Sequence, residues 1–177
     1  MKRKLYWIGA IVIVACLLFV YFDLRIQIKE KQAVIDAVED DIYNYALHPE
    51  ALSNALQRAI KQPTKENFAQ LLPIWESTEH NLQALFQIHK NEIDEKVYEE
   101  YYKYRHNQVN AMFYTYADPE LKPFEDDRKD DLKRILKAWE KFSGYLDVFG
   151  GYREIENPNQ FAEEYTKFLK GVQINWP

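Results

Sequence analysis

Five carboxylates crowd one short stretch: Glu125, Asp126, Asp127, Asp130 and Asp131. Pairs four residues apart would share a helix face and could collect a divalent cation weakly. An oxygen cage for calcium also requires an ordered loop with a turn glycine, and Arg128, Lys129, Lys133 and Arg134 interleave here instead. Negative charge just before Leu132 has a simpler use, because the unpaired amides at a helix N-terminus stabilise it. The histidines, His48, His80, His89 and His106, lack the glutamate three residues upstream that a di-iron bundle uses. Glu76 and His80 lie one helical turn apart, as do Tyr102 and His106, but such pairs arise freely on solvated faces. No metal and no cofactor are expected. Nucleophilic catalysis has no support either: no serine is flanked by glycines, and the single cysteine, Cys16, lies in an apolar N-terminal run. The expectation is a protein that is not an enzyme.

Tyrosine is the residue type in surplus, 13 of the 177 residues. Tyr98, Tyr101, Tyr102, Tyr104 and Tyr114 fall in one stretch and cover too much of a helix circumference to enter a single narrow core together. Some are expected to line a groove or a partner surface, where a tyrosine supplies both area and a hydroxyl. The competing assignment is a broad core whose hydroxyls reach solvent. The first reading makes these five tyrosines the expected partner-binding residues; stacking on sugar faces would make the domain a module for cell-wall glycan or peptide.

What must position them starts at the N-terminus. After Met1-Lys2-Arg3-Lys4, an unbroken apolar run extends from Leu5 to Phe22. At about 1.5 Å per residue it spans roughly 27 Å, close to the hydrocarbon thickness of a bilayer. Tyr6 and Trp7 mark one end and Tyr21 and Phe22 the other, as at membrane interfaces. Ile13-Val14-Ala15-Cys16 also matches a lipoprotein processing site, but the apolar run continues past Cys16 where a processed segment would turn polar. The expected arrangement is a single-pass membrane anchor in contact with lipid through 5–22. The compact basic cluster at 2–4 predicts a cytoplasmic N-terminus, leaving no cytoplasmic output domain, and an extracytoplasmic C-terminal domain in the cell membrane of a bacterial envelope.

All 28 acidic residues follow Phe22, against 20 of the 23 basic ones, a balance of −8 for that part. Such a balance argues against nucleic acid and against anionic lipid as principal ligands. With no cysteine beyond Cys16, the domain must be held by packing.

Leu24, Ile28, Ile35, Val38, Ile42 and Tyr45 form a heptad seam with Lys31 in one core slot. No Gly or Pro lies between Gly9 and Pro49, so anchor and seam can form one rod. A parallel homodimer is the assembly such a seam would serve; the alternative packs the stripe on helices of its own domain.

Further on, Leu52 to Ile60 is a short amphipathic helix, Thr64 can cap the next, and Pro73 predicts a kink or break. Apolar spacing predicts one long helix over Ile93–Tyr116, ending at Asp118-Pro119. Leu132 to Phe149 is the cleanest amphipathic pattern, stopped by Gly150-Gly151. Asn157-Pro158 starts a last helix that Gly171 stops.

The expected fold is all-α: an N-terminal transmembrane helix, continuous with a stalk, then an antiparallel bundle of four or five helices. The divisions are 1–22, cytoplasmic tip and anchor; 23–47, membrane-proximal helix or stalk; and 48–177, bundle domain. The function that follows is a non-enzymatic accessory protein whose exported bundle binds another envelope protein.

Overall fold

The computed structural model describes residues 2–41, 49–118, 120, 124–125, 128–148, 155 and 157–174, with backbone alone at 2–13, 15, 39–41 and 147–148. All regular structure among the described residues is helical. The chain divides into two compact units, Met1–Val38 and Glu39–Pro177.

The described residues of the first unit all lie in one helix, α1 (Lys2–Asp41), with no break between the apolar run and the seam. Among the described residues, no helix is long and apolar enough to cross a membrane. The expected span over 5–22 falls largely outside the described side chains, which begin at Val14. Val14 and every residue from Cys16 to Phe22 are exposed. Of the seam, Leu24, Ile28 and Val38 are exposed and Ile35 is half-buried; Ile42 and Tyr45 lie outside the described residues.

The second unit contains α2 (Pro49–Lys61), α3 (Lys65–Ile88), α4 (Glu95–Tyr104), α5 (Val109–Ala117), α6 (Lys129–Val148) and α7 (Pro158–Gly171). Local chemistry sets several boundaries. Thr64 accepts a hydrogen bond from the Asn67 amide at 3.3 Å and caps α3. Asn157 does the same for Gln160 at 3.1 Å, with Pro158 at the first helical position, where no amide hydrogen is needed. Pro73 sits inside α3, and the helix continues through it rather than breaking. Gly150-Gly151 and Phe149 lie outside the described residues.

Two expectations are corrected here. The long helix over Ile93–Tyr116 is two helices, parted at 105–108, and among the described residues the bundle therefore has six helices rather than four or five. At the break, the Asn107 side-chain oxygen accepts from the Val109 amide at 3.2 Å, an Asx turn that competes with helix continuation. The larger reason is tertiary. Helices α2, α3, α6 and α7 close a ring, while α5 docks on α3 and α4 on α7, so one straight helix could not serve both partners. The bundle is also not wholly antiparallel. Asp94, Glu100 and Tyr104 meet Asn159, Lys170 and Gln173 in that order, so α4 runs parallel to α7.

The core follows the 3.6-residue period: Leu52, Ala55, Leu56 and Ala59 from α2, and Leu132, Ile135, Trp139, Phe142 and Leu146 from α6. Its centre is aromatic. Phe168 lies 5.3 Å from Phe142, 5.7 Å from Trp139 and 6.1 Å from Trp75, while Trp75 meets Phe113 edge-on at 5.5 Å. Such pairs add to the area they bury.

Candidate functional site

The break after α4 sets Tyr114 apart, and the four tyrosines of α4 point to different surroundings. Tyr101 is 2% exposed, its ring stacked 3.6 Å from Phe86 and 5.7 Å from Tyr165. It belongs to the core and offers no surface, and burial pushes its phenol above the ordinary range. Tyr98 is half-buried against Phe86 and stacks on Tyr102 at 6.4 Å. Tyr102 is 50% exposed, with the Arg105 guanidinium 3.9 Å over its ring and His106 against its edge. Tyr104, half-buried, turns toward α7, where the Lys170 ammonium lies 5.0 Å above its ring. Tyr114 is exposed on the α5 side and donates its hydroxyl to Glu76. The structure thus brings Tyr98 and Tyr102 together at one surface and separates Tyr104 and Tyr114 from them.

The acidic run at the head of α6 is internally matched. Asp131 accepts from Arg134 at 2.8 Å and pairs with Arg128 at 3.3 Å, and Lys133 donates to Asp130 at 2.8 Å; Asp126 and Asp127 lie outside the described residues. The Lys133 ammonium holds the Asp130 carboxyl below its usual range. His48 is likewise outside, and His89 meets Glu92 at 3.2 Å where α3 ends. Among the described residues, no group of three or more His, Cys, Asp or Glu could hold a metal ion.

Sequence reading missed two features. The first joins α3 and α5: Trp75 donates to Asn110, which donates to Glu79 at 3.1 Å, and Asn107 reaches the other Glu79 oxygen at 3.5 Å. Burial raises the Glu79 carboxyl above 4.5 against the opposing pull of these amide donors. A carboxyl raised in the folded state costs no stability below its unfolded value, weakens the fold as pH rises from its unfolded to its folded value, and imposes a constant cost above that. Glu79→Gln removes that titration. The stability of the variant relative to the parent is expected to become more favourable from pH 4 to pH 7, read as denaturation midpoints; a pH-independent difference would refute the assignment.

The second is a groove of about 370 Å³ between α6 and α7. Arg134, Lys137 and Lys141 line it from α6, and Lys167 and Lys170 from α7, with Glu164 the one acidic lining residue. Its floor is Ala138, Phe142, Phe168 and Gly171. The helices approach closely there: a Cβ on Gly171 would lie 2.8 Å from that of Ala138. The only sequence signal for it is a basic stripe flanking Ala138, which the acidic overall balance conceals. No family model, curated protein or solved structure matches this chain, so its function has to be argued from these surfaces.

Proposed function

We propose that the protein is a non-catalytic, membrane-anchored accessory protein whose helical bundle stands on the extracytoplasmic side and binds another envelope protein. The observation that carries the anchor is the run of exposed side chains at Val14 and Cys16 to Phe22, apolar with only Tyr21 polar at its tip. Seven consecutive residues, 16–22, face every direction around a helix of 3.6 residues per turn. A coiled-coil partner covers one stripe, whereas a bilayer covers the whole circumference. Upstream, Leu5 to Ile13 extend the run to a spanning length, with Lys2, Arg3 and Lys4 on the cytoplasmic side.

Binding is supported by the exposed rings of Tyr102 and Tyr114 beside paired polar groups, the composition of interface anchors. Arg105 already covers one face of Tyr102, which weighs against sugar stacking and favours a protein partner. A photo-crosslinking residue in place of Tyr102 is expected to trap an envelope protein in intact cells, and one at the exposed Gly144 is expected not to. Equal trapping at both positions, or at neither, would sink the assignment.

A further inference from the structure

We propose that the α6–α7 groove is a docking site for an acidic, amphipathic helix of a partner protein. The inference rests on the binding role above and names the chemistry of the partner at a second surface.

Charge comes first. In a segment whose balance is −8, five cations converge on one groove. Three of them already have partners: Arg134 with Asp131, Lys167 with Glu164 at 2.6 Å, and Lys170 with Glu100. Lys137 and Lys141 are exposed and have no ion-pair partner among the described residues. The acidic remainder of the surface repels an acidic ligand and this groove attracts it, so the field itself directs docking.

Shape selects a helix among acidic ligands. Arg134, Lys137 and Lys141 stand at i, i+3 and i+7 on α6, a row about 10 Å long, which matches carboxylates at the same spacing on a facing helix. Ala138 and Gly171, both half-buried, keep the seam open above the buried Phe142 and Phe168, and the aliphatic stems of the flanking lysines give the groove its apolar surface. A phosphate polymer would leave the seam and those stems unused, whereas an amphipathic helix packs on them while its carboxylates reach the cationic walls.

The test uses full-length protein in uncharged detergent. Three labelled probes are compared: a synthetic helix with glutamates on one face flanked by leucines, its scrambled isomer, and soluble polyphosphate. The amphipathic peptide is expected to bind, to weaken as salt is raised, and to lose about tenfold in affinity to the K137E/K141E protein. Both positions are exposed, so circular dichroism should be unchanged, and the substituted protein in the same detergent corrects for peptide entering micelles. Tyr102→Ala is expected to leave this binding intact. Absence of peptide binding, or binding indifferent to K137E/K141E, overturns the proposal. Polyphosphate bound as tightly as the peptide, with the same loss on substitution, would also overturn it by making the groove a general anion site. If the peptide fails while crosslinking at Tyr102 succeeds, the groove proposal falls and the binding role stands.

Discussion

Val14→Arg together with Leu18→Arg should move the protein from the membrane fraction to the supernatant. Both positions are exposed on one face of α1, and Val14 lies near the middle of the 5–22 run. Each arginine near the centre of a span disfavours insertion by about 2.5–3.5 kcal/mol, and each lost apolar side chain adds a few tenths. Roughly 6 kcal/mol in total is enough to invert a partition that favours the bilayer by several orders of magnitude. Alkaline-washed membranes probed for the chain give the readout. Cys16→Ser is the informative companion, since a spanning helix does not depend on that thiol and the variant should stay in the pellet. Release by Cys16→Ser alone would mean that a lipid on Cys16, not the helix, holds the protein.

Trp139→Ala is the substitution expected to damage the bundle most. The side chain is fully buried, packs 5.7 Å from Phe168 and 6.1 Å from Phe142, and its indole donates to the Pro49 carbonyl at 3.0 Å. That bond joins α6 to the first residue of α2. Truncation loses transfer energy, leaves a cavity among rings that cannot collapse freely, and strips the half-buried Pro49 carbonyl of its donor. The expected cost is about 3–5 kcal/mol, a large fraction of the stability of an ordinary domain. Trp139→Phe keeps most of the volume and loses only the donor, for about 1–2 kcal/mol. Denaturant midpoints read both, and equal losses in the two variants would show that the hydrogen bond, not packing, dominates.

Local chemistry was legible in the residues; tertiary choice was not. Thr64, Pro49 and Asn157-Pro158 announce helix starts because the cap or ring acts within one turn, whatever surrounds it. The break at 105–108 is different, since apolar spacing runs on through Val109 and Met112, and beside the local Asn107 turn it is chiefly the docking of α4 and α5 on different helices that separates them. The same limit applies to the tyrosines. Tyr101 and Tyr102 are adjacent, yet one lies in the core and the other at the surface, and which one turns inward depends on where Phe86 and Tyr165 arrive. The basic groove escaped notice because its walls lie about 30 residues apart in the chain and net charge averages them away. Pro73 shows the converse: a helix-breaking residue held within α3, whose flanking Leu71 and Trp75 are buried in the core.

The most direct test of the anchored, outward-facing bundle is protease digestion of a C-terminal tag in intact protoplasts, with lysed protoplasts as control. The account predicts that the tag is cut in intact protoplasts while the anchor remains in the membrane. A tag protected in intact protoplasts and cut only after lysis would contradict it and place the bundle on the cytoplasmic side.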